Sequence, residues 1–307
     1  MSRSAAARPS RTAQSVAVAM VLAAHDPSLA WLVPPDAVAP IRACLREMPG
    51  LLGVGYRSME HPFWLRRLRE QAERRLPGGV LHLATRKAWI EREVRRALAG
   101  GATQVVVIGA GFDSLAYRLH RERADVAWWE VDRAATQRVK LAGLGRCGAP
   151  GPTLGFVAAD LGAEQLPDLM ERASGYSRTR PTVFIAEGLT MYLTEAEATT
   201  LFRSAAELLE GGGRLLGTAL APEPDGSLRV TGAPSWLNRH LRRLGEPFQF
   251  GIAPEALPEF AVRAGFAHTE VVRVPAALRA LAPGRPATPV PDLGEYLFAL
   301  RADHDAA

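Results

Sequence analysis

Four stretches of this 307-residue chain set glycine or carboxylate at the end of an apolar run, and each could hold part of a nucleotide. The first is Val105 to Ser114, V-V-V-I-G-A-G-F-D-S, where β-branched residues give way to Gly109 and Gly111. Glycine there lets a strand turn tightly and lets the backbone approach a ligand. A dinucleotide fingerprint places a third glycine or alanine where this chain has Ser114, so the turn is also readable as a strand-to-helix connection with no ligand. The second is W-W-E-V-D, which sets Glu130 and Asp132 about 20 residues beyond the glycines, where a carboxylate can accept from both ribose hydroxyls. The third, A-A-D-L, offers Asp160 to an adenine amino group and the Leu161 N–H to the ring, although an aspartate there also suits a helix cap. The fourth, I-A-E-G, ends in Glu187 and Gly188.

These stretches need a scaffold that aligns four strand ends. The continuous apolar runs at Val105 to Ile108, Val126 to Val131, Leu154 to Ala158, Thr182 to Ala186 and Gly213 to Ala219 are the pattern of strands buried on both faces. Helical periodicity separates them near Ser114 to Glu122, Ala134 to Leu144, Glu164 to Ser174 and Glu195 to Glu210. Strand and helix in alternation predict an α/β fold, a mostly parallel sheet with helices on both faces. In such sheets ligands bind at the carboxyl ends of the strands, where all four stretches fall.

Ahead of this unit lies a helical N-terminal region. Thr12 or Ser15 could cap a helix to Ala24, Asp36 one to about Met48, and an amphipathic pattern runs from Ala84 to Ala99 before Gly100-Gly101. We divide the chain into a loose tail over 1–10, a helical cap over 11–100 and an α/β domain over 101–307. After the fifth strand, Pro222, Pro224, Pro234 and Pro247 with Trp236, Phe248 and Phe250 mark an insertion over about 221–253, whose aromatics suit either a local subcore or a substrate wall. A helix from Pro254 to Ala264 and strands near His268 to Val274 and Glu295 to Arg301 close the chain.

Composition narrows the function classes. With 48% hydrophobic and 22% charged residues the chain can bury a large core. Its net charge is only +5, and the arginines at 66–75 and 92–96 are interleaved with Glu70, Glu73, Glu91 and Glu93, the pattern of a salt-bridged helix face rather than a nucleic-acid footprint. Cys44 and Cys147 have neither a disulfide framework nor metal-ligand spacing, which fits a reducing compartment and no metal. Arg3, Arg8 and Arg11 before the apolar Val16 to Ala24 imitate a secretory signal, but His25-Asp26-Pro27 makes a poor cleavage region. No apolar run approaches the about 18 residues of a membrane span, so a soluble cytoplasmic protein is expected. Lipase-type elbow, phosphate loop and zinc-protease motifs are all missing from the sequence.

Six blocks in order carry a resemblance. R-T-A-Q-S-V-A at Arg11, A-T-R-K-A-W-I-E around Arg86, V-I-G-A-G-F-D-S-L-A-Y-R-L from Val107, E-V-D-R-A-A-T-Q from Glu130, A-D-L at Ala159 and A-E-G-L-T-M-Y-L from Ala186 resemble the leucine carboxyl methyltransferase family. Within it, they resemble the bacterial branch of small-molecule and polyketide O-methyltransferases, over about residues 11 to 220. The resemblance implies a class I methyltransferase-like Rossmann fold with a seven-stranded sheet and S-adenosyl-L-methionine as co-substrate, without a metal. It implies that Arg86 pairs with the co-substrate's methionine carboxylate, Gly109 lies against it, Asp132 holds the ribose, Asp160 and Leu161 the adenine, and Glu187 the methionine end. After Arg86 this chain carries Lys87 to Glu91, a departure from the family's usual run of residues.

Methyl transfer from a sulfonium is an in-line displacement that mainly demands alignment in a dry pocket. A carboxylate acceptor needs no base, and an arginine such as Arg57 could orient it. A phenol or alcohol would be helped by a histidine, and of the seven in the chain His61 and His82 lie in the region expected to cover the site. Tyr192 is a pocket candidate. Two alternatives share the glycine turn: a nicotinamide-dependent oxidoreductase, which would not explain Arg86 or the A-E-G strand end, and a non-catalytic binder of S-adenosylmethionine. The expected acceptor is a small molecule, with no nucleic-acid or membrane partner.

Overall fold

The computed structural model describes residues 8–58, 61–284 and 290–302. The tail's first seven residues, Arg3 among them, lie outside these. Seven strands, β1 (Gln104–Ile108), β2 (Ala127–Asp132), β3 (Leu154–Ala158), β4 (Thr182–Ala186), β5 (Gly213–Leu220), β6 (His268–Arg273) and β7 (Glu295–Arg301), form one sheet in the order β3-β2-β1-β4-β5-β7-β6. The first five are parallel, whereas β7 inserts antiparallel between β5 and β6. The sheet is therefore mixed, as a mostly parallel reading allows.

Period-2 pleating explains why a continuous apolar run was needed in the centre. Val105 and Val107 of β1 point into one hydrophobic cluster, Val106 and Ile108 into the other, and Val183/Ile185 and Phe184/Ala186 of β4 repeat the split. β1 and β4 are buried throughout, but the edge strands β3 and β6 are partly exposed.

The N-terminal helices are α1 (Arg11–Ala24), α2 (Val38–Arg46), α3 (Leu51–Ser58), α4 (Pro62–Arg75) and α5 (Gly79–Ala99). Between the strands and after them come α6 (Leu115–Glu122), α7 (Ala134–Gly145), α8 (Leu166–Glu171), α9 (Glu195–Glu207), α10 (Trp236–Leu244), α11 (Leu257–Arg263) and α12 (Val274–Leu281). The apolar Val16 to Ala24 stretch is the buried side of α1, with Val21 and Ala23 fully enclosed. Ser10, not Thr12 or Ser15, caps α1 by accepting the Ala13 N–H, and it is itself buried. Asp36 caps nothing; α2 begins after Ala37 without a side-chain cap. Trp89, Ile90 and Val94 of α5 share one core with β1 and β4, so the N-terminal helices and the sheet bury their apolar faces together. Gly143 of α7 lets α2 pack closely, since a Cβ there would lie 2.5 Å from the Cys44 backbone.

Candidate functional site

The chain leaves β1 through Gly109 at φ 70° and Gly111 at φ 52°, both in the left-handed region that favours glycine. A Cβ at Gly109 would press to 3.2 Å on Leu189 from the β4 side, and one at Gly111 would stand 3.0 Å from the Ala13 Cβ of α1. The turn is thus held between two walls, with its backbone facing a cavity. Asp113 ends it by accepting the Leu115 N–H at the start of α6, 3.1 Å away.

Asp132, at the end of β2, accepts from the Gly111 N–H and from the Arg133 N–H. Burial pushes its carboxyl up, and these two donors oppose the shift. Glu130 does not border the cavity. It is sealed in the core, 2.6 Å from the Lys140 ammonium, so of the two β2 acids only Asp132 faces a ligand space. Asp160 Oδ1 accepts the Gly162 N–H at 3.1 Å. This closes a turn rather than capping a helix, because α8 begins only at Leu166, behind Gln165. Among the described residues, the second oxygen of Asp160 and the Leu161 N–H have no protein partner, which suits a purine edge.

Opposite lies a buried cluster of charges contributed by α5, the β1 turn, the end of β4 and β7. Arg86 Nε donates to Glu187 Oε1 at 2.7 Å, and its Nη1 donates to both oxygens of Glu295 at 2.9 and 3.0 Å. Lys87 Nζ bridges Asp113 at 2.8 Å and Glu187 at 2.9 Å. His82 Nε2 stands 2.8 Å from Glu295. Burial alone would raise the Glu295 and Asp113 carboxyls, but Arg86 with His82 and Lys87, respectively, outweigh it and hold each at about 2. Burial would likewise strip the proton from Lys87, yet Asp113 and Glu187 keep its ammonium charged. Of the Arg86 nitrogens only Nη2 is left without a protein acceptor among the described residues, and it lies beside Gly188, where a Cβ would stand 3.2 Å away. The arginine therefore presents one nitrogen to a ligand carboxylate, not its whole fork.

One cavity joins these parts. Arg86, Gly109, Asp132, Asp160, Leu161 and Glu187 all border it, as do Lys87, Tyr192 and Glu246. Burial pushes the Tyr192 hydroxyl up, so it stays protonated. The other sequence-level candidates fall elsewhere. His61 caps α4, His82 sits behind Arg86, and Arg57 is exposed; none lines the cavity. The insertion's aromatics also stand back from it: Phe250 packs on Phe260 and Phe248 on Tyr192, and Trp236 is exposed. Gly245, Glu246 and Gln249 of the insertion line it instead. Lys87, Glu295 and Glu246 were missed. Lys87 had a signal in composition, since lysine fills only two of 37 basic positions; the acids had none.

A glycine turn after the first of seven strands in this order, an acid ending the second and an antiparallel seventh define a class I S-adenosylmethionine-dependent methyltransferase fold. The leucine carboxyl methyltransferase family profile matches residues 4–206, and the chain belongs to that family. A candidate S-adenosyl-L-methionine-dependent methyltransferase of Mycobacterium avium (strain 104) is 35% identical over 144 residues, which cover 47% of this chain and 45% of that protein. Another so named, from Mycolicibacterium smegmatis, is 33% identical over 154 residues, 50% of this chain and 49% of its own. The chain thus spans about half the length of the curated relatives it matches. Two solved structures share the fold, each with a TM-score of 0.56. One is a candidate methyltransferase from Thermobifida fusca, 19% identical, covering 90% of this chain and 97% of its own. The other is a DUF574 family protein from Streptomyces avermitilis, 18% identical, covering 78% and 90%. None of these favours the nicotinamide-dependent alternative.

Proposed function

We propose that this chain transfers a methyl group from S-adenosyl-L-methionine to an oxygen of a small acceptor, and that this oxygen belongs to a carboxylate. Bound in the cavity, the co-substrate supplies an electrophilic methyl on a sulfonium. Asp132 accepts from the ribose hydroxyls, Asp160 and the Leu161 N–H read the adenine edge, and the Gly109 turn makes room for the backbone to approach. Arg86 offers Nη2 to the methionine carboxylate, and Glu187, fixed by Arg86 and Lys87, faces the ammonium end.

The observation behind the carboxylate acceptor is the lack of an available base. No described histidine borders the cavity, Asp113, Asp132, Glu187 and Glu246 are already occupied by cations or peptide N–H groups, and the remaining oxygen of Asp160 is taken by the adenine in this reading. A carboxylate arrives deprotonated and needs only alignment, whereas a phenol would need a proton removed. The neutral Tyr192 hydroxyl can donate to the acceptor. A polyketide-type acid is the acceptor class suggested by the family resemblance. The reading carries a cytoplasmic setting, and no helix among the described residues is long and apolar enough to cross a membrane.

Incubation with methyl-labelled S-adenosylmethionine and a panel of small carboxylic acids and phenols tests this. Label that is released as methanol by mild base marks a methyl ester and supports the proposal. Base-stable label on phenols alone would refute the carboxylate assignment, and no label on any acceptor, with no co-substrate binding, would refute methyl transfer.

A further inference from the structure

Glu246 is a buried carboxylate that comes from the insertion rather than from a strand end. It follows α10 directly, at a turn made by Gly245 with φ 75°. Its Oε2 accepts the Thr12 N–H at 2.9 Å, and its Oε1 accepts from Arg133 Nη2 at 3.0 Å. Thr12 lies in the first turn of α1, whose free N–H groups carry partial positive charge, so the carboxylate meets a guanidinium on one side and a helix N-terminus on the other. Three segments distant in sequence are joined at one side chain, and Thr12, Arg133 and Glu246 all border the cavity.

Past Glu246 the same segment is fastened to the β4 end, because Gln249 N donates to Met191 O at 2.8 Å and Gln249 Nε2 to Tyr192 O at 2.7 Å. Residues 245–249 therefore run from the start of α1 to the loop after β4. On the opposite side Ala13 of α1 lies directly over the Gly111 turn. Together the first turn of α1 and this segment roof the place assigned above to the co-substrate.

We propose that Glu246 is a positioning residue that latches α1 to the insertion across the co-substrate site, and that exchange of co-substrate for product goes through opening of this latch. The inference rests on the proposed function. Glu246 touches neither reacting atom in this scheme; it sets how long the roof stays closed. Losing the carboxylate leaves the Thr12 N–H and Arg133 without their partner and frees the start of α1, while the strand-end contacts to the ligand persist.

The test is the dissociation rate of S-adenosylhomocysteine from the full chain by rapid mixing, with hydrogen exchange of residues 11–16 alongside. Glu246→Gln keeps the shape and removes the charge. Thr12→Pro deletes the N–H from the other side, at a first-turn position that tolerates proline. Each is expected to speed dissociation about tenfold, the scale of a charge-assisted hydrogen bond, and to expose residues 11–16 to exchange with β1 and β4 still protected. The double variant should be slower than the product of the two single effects, since both act on the one side chain that joins Thr12 to Arg133. The KM for S-adenosylmethionine should rise more than kcat falls. Should Glu246→Gln fail to fold, Thr12→Pro carries the same expectation. Unchanged dissociation with unchanged exchange in either folded variant overturns the latch, whereas wild-type chain that binds no S-adenosylhomocysteine overturns the proposed function beneath it.

Discussion

Lys87 and Lys140 are the chain's two lysines, and both meet carboxylates, the first half-buried beside the cavity and the second enclosed in the core. Around Lys87 the charges are shared: Glu187 meets both Lys87 and Arg86, Asp113 meets Lys87 and the Leu115 N–H, and Glu295 meets Arg86 and His82. Among the described residues Lys140 and Glu130 form an ion pair with each other alone, each about 1% exposed, and burial pushes the Glu130 carboxyl up to about 7 in spite of the ammonium beside it. A shared cluster can rearrange its hydrogen bonds as a charged ligand enters, because Arg86, Lys87 and each of the three carboxylates have more than one partner. An isolated pair cannot, and serves as a structural peg between β2 and α7. A compact ammonium fits between the close carboxylates of Asp113 and Glu187 where a planar guanidinium needs more room, which accounts for a lysine at position 87 in an otherwise arginine-rich chain.

The largest expected effect tests the peg. Lys140→Met strands Glu130 and should cost about 3–5 kcal/mol in denaturant unfolding, most of it recovered by adding Glu130→Leu. Co-substrate affinity should not change in the folded fraction. Lys87→Met should cost less, about 1–2 kcal/mol, because Arg86 still holds Glu187, but it should weaken S-adenosylhomocysteine binding. Equal stability losses for the two lysines would erase the distinction between them.

The two regions should also differ in the sign of their pH dependence. Glu295 and Asp113 are held at about 2 in the fold against ordinary values of 4.5 and 3.8. Their contribution is complete above those ordinary values and is lost as pH falls toward 2. Glu130 has its folded value raised from 4.5 to about 7, so its contribution is complete below pH 4.5 and lost as pH rises to 7. Unfolding free energies of wild type and Glu295→Gln from pH 3 to 8 check this. The variant should lack part of the acid-side slope and keep the decline toward neutrality; an unchanged acid limb would contradict the Glu295 assignment. The smallest effect should come from the exposed Arg66–Glu70 pair, 3.1 Å apart, where Arg66→Ala should shift stability by less than about 0.5 kcal/mol in thermal unfolding.

The sheet and the strand-end residues were legible because each depends on local pattern. The β1 run with its two glycines, and Asp132, Asp160 and Glu187 at successive strand ends, all sit where the α/β rule places ligands. Partners brought together by tertiary packing were not legible. Glu295 reaches Arg86 from 209 residues away and Glu246 reaches Thr12 from 234, and no periodicity announces either. The two histidines that residue type put forward have structural roles: His61 caps α4 and His82 hydrogen-bonds Glu295. The arginines of α4 read correctly as partly paired, Arg66 and Arg67 with Glu70, but Arg69 reaches Asp26, a contact that no helical spacing could supply.

The most direct measurement is calorimetric titration of the chain and its Asp132→Ala variant with S-adenosylhomocysteine and with NADH. Saturable binding of S-adenosylhomocysteine alone, weakened at least about tenfold by Asp132→Ala, is the expected result, since that change removes a buried carboxylate from two ribose hydroxyls. Binding of NADH alone, or S-adenosylhomocysteine affinity untouched by Asp132→Ala, would contradict the assignment of the site.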